Sequence, residues 1–328
     1  MSVSDAILAR VSRSFYLSIR VLPRKLRDPV SLGYLLARAS DTIADTADIP
    51  IELRAENLKR LARGIQGEAL GDAIVDLSAT IAPLQKDEAE RALIESLQPL
   101  IEWLEQSDVE DREDVRGVLE KINRGQLLDL QRFPNPNQIV ALETATELDE
   151  YTYLVAGSAG EFWTRLCFRH LPKFTNRSET EMLDLGKRYG MGLQLINILR
   201  DAGADVRAGR CYFPNEELAA IAMEPSQVVR EAQRFMPVFR KWREKAEKGI
   251  ADGIKYADAV RNRRVRIATA RPALIGARTL ALIREAGATA LHRHIKVPRK
   301  QVRSITSSLA LSLASRSRIN SLYRELSR

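Results

Sequence analysis

The amino-acid sequence predicts an almost entirely α-helical protein. Apolar residues recur at intervals of three and four over most of the chain, which is the spacing of one helix face, and alternating apolar and polar runs typical of strands are hard to find. Of the 328 residues, 45% are hydrophobic, which is enough to form a sizeable core. No repeat or low-complexity tract divides the chain, so we expect one helical domain spanning residues 1–328.

Prolines mark several of the expected helix ends. We expect Pro23 and Pro29 to bracket a connection between the first two helices, because proline lacks the amide hydrogen that a helix interior needs. Pro50 stops the second helix, and Pro134 and Pro136 form the clearest interior break, which we interpret as a loop because composition does not change across it. The expected helices span residues 5–19, 32–46, 52–65, 73–81, 88–106 and 110–130 before this loop, and residues 141–170, 178–206, 215–223, 225–256, 270–286 and 299–326 after it.

The basic charge is concentrated in the C-terminal region. Residues 251–328 contain 17 Lys and Arg against 4 Asp and Glu, a net charge of +13, so residues 1–250 carry −5 of the overall +8. Such a surplus indicates contact with an anionic membrane surface, nucleic acid or a phosphorylated ligand, and a solvated helix face is the alternative. Nucleic acid is disfavoured, because aromatic side chains that would stack on bases are not interleaved with the basic ones.

Cysteine usage and hydropathy bear on the compartment. Cys167 and Cys211 have neither the spacing of metal ligands nor the density of a disulfide scaffold, which fits a reducing cytoplasm. No stretch approaches the roughly 20 apolar residues that cross a bilayer, and the N-terminus lacks a basic region followed by an apolar one. We therefore expect a cytoplasmic protein, soluble or peripheral on the inner membrane face.

Two of the predicted helices carry matching polar faces. Because successive residues turn by about 100°, steps of three and four gather side chains into a stripe about 60° wide on one helix and about 80° wide on the other. Both helices are otherwise largely apolar, as buried helices are, so carboxylates within them need a partner. The first face holds Tyr34, Arg38, Asp41 and Asp45, and the second holds Gln194, Asn197, Asp201 and Asp205.

Paired carboxylates of this kind suit Mg²⁺, which takes one or two protein carboxylates and completes its shell with water and substrate phosphates. A diphosphate bridged by Mg²⁺ is the implied ligand, because guanidinium groups that bind phosphate oxygens lie in or beside both segments. For a single pair, a solvated acidic face is the commoner explanation. Arg200 lies off the centre of its stripe, so a salt bridge to a neighbouring helix is the alternative for it. The arginines in question are Arg13, Arg38, Arg200 and Arg210.

Several segments together resemble the squalene and phytoene synthases, which join two prenyl diphosphates head to head. The similarity follows the order of the family's motifs from residue 12 to residue 214. The second aspartate motif departs from the family at Ala204, where many members have an acidic residue, which puts an auxiliary carboxylate in doubt but not the aspartate pair. The matching segments are Ser12-Arg13-Ser14-Phe15, Tyr34 to Asp45, Tyr151 with Val155 to Gly157 and Gly160, Gln194 to Asp205, and Gly209 to Pro214.

The resemblance implies an all-α isoprenoid-synthase bundle with a central active-site cavity. It also implies that two molecules of farnesyl diphosphate react, and that Tyr34, Tyr151 or the released diphosphate accepts the proton lost in forming a cyclopropyl intermediate. The metal ligands that it implies for Mg²⁺ are Asp41, Asp45, Asp201 and Asp205. The residues that it implies for diphosphate binding are Ser12, Arg13, Ser14, Phe15, Arg38, Gln194, Asn197, Arg200 and Arg210.

Two further segments resemble the squalene synthases more than the phytoene synthases. One runs from Leu26 to Val30, and the other runs from Ile295 to Lys300 and resembles the basic segment near the reductase site. There, Lys296 and Arg299 are the candidates for binding the phosphates of NADPH. The resemblance therefore implies squalene as the product, with dehydrosqualene or phytoene, made without reduction, as the alternative.

A non-catalytic assembly factor of the same fold is a more distant alternative. Such members tend to lose the metal aspartates, whereas all four are present in this chain, which favours an enzyme. The sequence leaves open whether the protein is a monomer or a homodimer.

Overall fold

The computed structural model describes residues 3–11, 16–69 and 71–328, and it is almost entirely helical, as predicted. The chain divides into two compact units, Met1–Gln131 with Arg165–Leu171, and Arg132–Thr164 with Pro172–Arg328. The division falls three residues before the break at Pro134 that we interpreted as a loop. That residues 1–328 act as one domain stays a prediction.

The first unit is built from helices that precede this division. Its core includes the fully buried side chains Leu35, Leu36, Leu61, Leu93 and Leu119. The helices are α1 (Val3–Val11), α2 (Tyr16–Arg20), α3 (Arg24–Asp45), α4 (Ile51–Ile65), α5 (Ala73–Ile81), α6 (Glu88–Glu95), α7 (Leu97–Glu105) and α8 (Val109–Arg132).

The second unit contains the longest helices and a short parallel strand pair. Its helices are α9 (Ala145–Thr152), α10 (Ser158–His170, whose last turns belong to the first unit), α11 (Glu179–Arg207), α12 (Asn215–Ala220), α13 (Ala232–Ala259), α14 (Arg263–Ala286), α15 (Arg299–Leu311) and α16 (Arg316–Leu326). A π-helical turn, Tyr153–Gly157, joins α9 to α10, and a 3₁₀ turn, Gly287–Leu291, follows α14. The strands are β1 (Val140–Ala141) and β2 (Arg210–Cys211).

Helices α11 and α13 pack unusually closely where two glycines face each other. A Cβ atom added to Gly192 would lie 2.8 Å from the Cα of Gly249, so only residues without a side chain allow the two backbones to meet at this point. Around the contact, the unit buries Phe213, Phe235 and Trp242, each at most 1% exposed. This packing holds α11, which carries the second aspartate motif, in the middle of the core.

Two predictions about helix bounds were wrong. Pro29 lies inside α3, not in a connection, because the helix begins directly after Pro23. At that depth its missing amide costs one hydrogen bond, to the carbonyl of Lys25, and burial of Leu26 and Val30 offsets that loss. The single helix expected over residues 88–106 is broken at Ser96, because the ring of Pro99 would clash with the carbonyl of Glu95 if the helix continued.

Other boundaries differ for local reasons. The helix expected over residues 141–170 begins as β1 and contains the π-helical turn, and the helix expected over residues 299–326 is interrupted at Leu313 and Ala314, which both have positive φ. The pairing of β1 with β2 places Val140 beside Arg210. Within the described ranges, we find no helix that combines the length and the apolar character needed to traverse a bilayer.

Candidate active site

The first aspartate motif lies on α3, in the first unit. As predicted, Tyr34, Arg38, Asp41 and Asp45 are all part of one helix. Side chains from α6 and α8 reach this face. The Arg38 guanidinium donates a hydrogen bond to Glu90 of α6 and lies 3.9 Å from a carboxylate oxygen of Asp41.

The second contact to this face comes from Gln126 of α8, whose side-chain amide donates a hydrogen bond to Oδ1 of Asp41. Burial and then the nearby Asp45 carboxylate raise the pKa of Asp41 to about 7, although Arg38 acts in the opposite direction. Because 39% of the Asp41 side chain is exposed, solvent screening moderates this effect. Burial and mutual repulsion therefore disfavour the state in which Asp41 and Asp45 are both ionised.

The second aspartate motif lies on α11, in the second unit, and its carboxylates are already paired. Arg200 contacts its neighbour Asp201 through two hydrogen bonds, Nε to Oδ1 at 3.0 Å and Nη2 to Oδ2 at 2.5 Å. Nη2 of Arg210 donates to Oδ1 of Asp205 at 3.4 Å, and Nδ1 of His294 lies 3.4 Å from Oδ1 of Asp201. The salt bridge considered for Arg200 thus exists, but with an adjacent residue and not with another helix.

Polar residues one turn earlier on α11 also face each other. The side-chain amide of Asn197 donates a hydrogen bond to the side-chain oxygen of Gln194 at 3.2 Å. Both residues lie on the predicted stripe of the helix, so they are available as hydrogen-bonding groups next to Asp201.

The segment after α11 brings two predicted motifs together. The ring of Tyr212 stacks on that of Tyr151, with centroids 5.1 Å apart and planes inclined by 24°. Phe133 packs edge-on against Tyr212 at 5.2 Å. The π-helical turn Tyr153–Gly157 begins two residues after Tyr151, and such turns are frequent at functional sites.

The turn before the segment that contains Lys296 and Arg299 packs against α11. Both side chains are exposed. The preceding turn ends at Leu291, whose carbonyl oxygen would lie only 1.8 Å from a Cβ atom added to Gly203. Arg207 donates a hydrogen bond to the same carbonyl at 3.3 Å, so this basic segment starts directly beside the second aspartate motif.

Four of the predicted diphosphate-binding residues, Ser12, Arg13, Ser14 and Phe15, lie outside the described residues. Among the described ones, no three His, Cys, Asp or Glu side chains form a group that could hold a metal ion. Each motif nevertheless supplies two carboxylates one helical turn apart, which is the number that Mg²⁺ commonly takes from a protein. Burial and the Asp45 carboxylate raise the pKa of Asp41, and a bound divalent cation would stabilise the ionised form of this pair, so the donor set fits Mg²⁺.

Sequence reasoning missed Glu90, Gln126, His294 and Tyr212. The first two belong to helices whose charged and polar residues have no distinctive spacing, so only the packing of the first unit shows that they reach α3. Tyr212 was within a segment identified by its resemblance, but nothing in the sequence indicated that it would stack on Tyr151.

Comparison with known proteins gives a consistent result. A sequence model of the squalene/phytoene synthase family matches residues 8–301. Squalene synthase ERG9 of Saccharomyces cerevisiae is 31% identical over 64% of this chain and 44% of its own length. The bifunctional lycopene cyclase/phytoene synthase of Phaeosphaeria nodorum is 27% identical over 69% of this chain and 36% of its own length. The chain thus spans less than half the length of these two relatives.

Solved structures share the fold. The structure of TcSQS in complex with the ligand E5700 aligns over 99% of this chain and 96% of that chain, with a TM-score of 0.74 and 22% identity. A dehydrosqualene synthase in complex with a ligand aligns over 94% and 95% of the two chains, with a TM-score of 0.63 and 21% identity. The predicted all-α isoprenoid-synthase fold is therefore confirmed. With a family match over most of its length, the chain belongs to the squalene/phytoene synthase family.

Proposed function

We propose that the protein is a prenyltransferase that condenses two molecules of farnesyl diphosphate head to head, with squalene as the final product. The observation that carries this proposal is the pair of aspartate-bearing helix faces, each with an arginine within ion-pair distance of a carboxylate. Family membership and the 31% identity to a squalene synthase support it. A farnesyl diphosphate carries an anionic head and an apolar tail, which requires cations for the first and water exclusion for the second.

The aspartates of both motifs are proposed to serve the same reaction. Asp41 and Asp45 on α3, and Asp201 and Asp205 on α11, would hold Mg²⁺. When bound, Mg²⁺ neutralises the charge that develops on the diphosphate as the allylic carbon–oxygen bond breaks. A non-catalytic role is disfavoured, because all four carboxylates are present.

Arginines of both motifs are proposed to bind the diphosphates. Arg38, Arg200 and Arg210 form ion pairs with carboxylates, so each would exchange a carboxylate for phosphate oxygens when substrate binds. Gln194 and Asn197 would add neutral hydrogen bonds one turn away. The predicted contribution of residues 12–15 completes this set.

The proton lost on cyclopropane closure needs an acceptor. Burial raises the pKa of Tyr34, so its phenol oxygen keeps its own proton at neutral pH. A protonated Tyr34 could accept the proton from the substrate only if it gave up its own phenol proton. The nearby Asp41 carboxylate disfavours that loss, because it also raises the pKa of Tyr34. The released diphosphate is therefore the proposed acceptor, with Tyr34 or Tyr151 orienting it through a hydroxyl group.

The reductive step is proposed to use NADPH whose phosphates contact Lys296 and Arg299. Among the described residues the strands form a two-stranded sheet and no dinucleotide-binding sheet, so the cofactor would rely on exposed basic side chains. Their segment starts beside the second aspartate motif, which supports a role close to the chemistry. The phytoene synthase relatives support the alternative of dehydrosqualene or phytoene synthesis without this step.

The test is to incubate purified protein and Mg²⁺ with farnesyl diphosphate or, separately, with geranylgeranyl diphosphate, each with and without NADPH, and to identify the hydrocarbon by mass spectrometry. Squalene formed only with NADPH is the expected result. The same hydrocarbon with and without NADPH would favour dehydrosqualene synthase, product from geranylgeranyl diphosphate alone would favour phytoene synthase, and no turnover of either would favour an assembly factor.

A paired substitution tests the cofactor site. Replacing Lys296 and Arg299 with Ala should raise the apparent KM for NADPH at least roughly tenfold and leave the KM for farnesyl diphosphate unchanged. Lys300→Ala, an exposed basic neighbour, is the matched control and should change neither. An equal rise in both KM values would contradict the assignment of these residues to the cofactor.

A further inference from the structure

The turn between α15 and α16 exposes two leucines. The Leu311 side chain is 86% exposed, more than any other large apolar side chain that the structure describes, and Leu313 is 57% exposed. Leu309, two residues before Leu311, and Ala314, directly after Leu313, have no exposed surface. The turn thus separates a buried, anchored side from an apolar tip that faces solvent.

The backbone of this turn is tightly held. The amide of Ala314 donates to the carbonyl of Leu309 at 2.8 Å, and the amide of Leu313 donates to that of Ala310 at 3.0 Å. These are the two hydrogen bonds of a Schellman helix end. Buried Arg266 of α14 then donates to the carbonyl of Ala314 at 3.0 Å. The exposed leucines therefore sit on a rigid support.

Leu313 occupies the position of this motif that usually holds glycine. Its φ is 47°, in the left-handed region where a side chain crowds the backbone. A leucine here is unfavourable twice, because it strains the backbone and exposes an apolar side chain to water. Because a leucine at this position does not stabilise the fold, we expect it to serve a function.

Exposed arginines flank the two leucines along the chain. Arg303 and Arg318 are exposed on α15 and α16, and Arg316 at the start of α16 is exposed as well. Burial, followed by the positive charge of Arg316, lowers the pKa of Arg266, although Asp258 acts in the opposite direction. Arg263 at the start of α14 adds to this lowering. Arg263, Arg266 and Arg316 thus lie close together at the base of the turn, where Nε of Arg316 donates a hydrogen bond to the carbonyl of Asp258 at 2.5 Å.

We propose that the α15–α16 turn is a membrane-docking tip, in which Leu311 and Leu313 enter the interfacial layer of an anionic bilayer while the surrounding arginines contact lipid headgroups. Apolar side chains combined with basic ones are the arrangement that binds such interfaces. The inference makes specific the peripheral contact expected from the C-terminal charge. It does not depend on the reaction, since vesicle binding needs no substrate.

A second copy of the chain fits this surface less well. In a two-fold symmetric contact the same patch lies on both sides, so the arginines of one copy would face those of the other. Juxtaposed like charges oppose association, whereas an anionic bilayer complements them. The charge around the leucines therefore selects lipid as the occupant.

The test measures binding to vesicles of phosphatidylcholine alone and of phosphatidylcholine mixed with phosphatidylglycerol. The wild type should bind the mixed vesicles and dissociate as salt is raised. The double variant Leu311→Ser, Leu313→Ser should have a vesicle partition coefficient roughly 30-fold lower than that of the wild type, because it loses the transfer of two leucine side chains from water into the membrane interface. Leu53→Ser, at a leucine 45% exposed on α4, is the matched control and should bind as the wild type does.

A second variant separates docking from folding. Leu313→Gly relieves the left-handed strain, so its unfolding midpoint should equal or exceed that of the wild type while its vesicle binding falls. Unchanged vesicle binding in the double serine variant would overturn the proposal. The proposal would also be wrong if light scattering showed that the double serine variant changes from dimer to monomer while it still binds lipid. Turnover measured in detergent micelles reports separately on the proposed reaction.

Discussion

Replacing Gly203 with Ala should disrupt the attachment of the basic segment to α11. A Cβ atom at this position would lie 1.8 Å from the carbonyl oxygen and 2.6 Å from the carbonyl carbon of Leu291, whereas ordinary contacts begin at 3.4 Å. All of the close atoms belong to the backbone, so no side-chain rotation can relieve the overlap. The turn Gly287–Leu291 must therefore move outward, which breaks the 3.3 Å hydrogen bond from Arg207 and uncovers the fully buried Leu291.

Overpacking of this kind costs about 1–3 kcal/mol of unfolding free energy. The urea midpoint of Gly203→Ala should fall accordingly, and the KM for NADPH should rise because Lys296 follows the displaced turn. Gly117→Ala is the matched control, since a Cβ atom there has no neighbour within 4 Å, and helix propensity predicts a gain of about 1 kcal/mol. A midpoint for Gly203→Ala at or above that of the wild type would show that the contact with Leu291 does not hold the segment.

Three further predictions concern the aspartate motifs. Asp41→Asn or Asp201→Asn should lower kcat by roughly a hundredfold or more without loss of helical circular dichroism, because stabilisation of the leaving diphosphate by the metal contributes several kcal/mol; near-wild-type kcat in either variant would remove the metal assignment. The pKa of Asp41 is raised from an ordinary 3.8 to about 7, so the folded protein binds this proton more tightly than the unfolded chain does. The stability of the metal-free protein should therefore fall as pH rises from 4 through 7. Thermal unfolding in EDTA should show a smaller fall for Asp41→Asn than for the wild type. Gln126→Ala should raise the Mg²⁺ concentration for half-maximal activity by roughly tenfold, since it removes a hydrogen bond to Asp41, whereas Gln98→Ala, which removes a surface contact to Glu102, should not.

Helical periodicity was sufficient to predict the two motif-bearing helices. Steps of three and four placed Asp41 with Asp45, and Asp201 with Asp205, on single faces of α3 and α11, because the geometry of a helix depends only on local sequence. The electrostatic partners could not be predicted in the same way. Gln126 is 85 residues from Asp41 along the chain, and only tertiary packing brings the two side chains together.

Breaks within helices were predicted less well than helices themselves. Pro99 is a local indication of the interruption at Ser96, but apolar residues at helical spacing on both sides of it favoured one continuous helix. The interruption before α16 has no such signal, because Leu313 takes a left-handed conformation that sequence patterns reserve for glycine. Tertiary contacts from Arg266 stabilise that conformation, and they are not visible in the sequence.

The two motifs differ in how their carboxylates are balanced, and this difference has a consequence for ligand binding. Asp201 and Asp205 already contact Arg200, His294 and Arg210, so a divalent cation arriving alone would have to displace positive side chains. A diphosphate removes this obstacle, because the arginines can move to its oxygens and leave the carboxylates to the metal. Metal and diphosphate should therefore bind the second motif cooperatively, and by linkage each should raise the affinity of the other by the same factor. At the first motif Arg38 lies 3.9 Å from Asp41, so the same exchange applies to that arginine, and the raised pKa of Asp41 means that an arriving cation also displaces a proton.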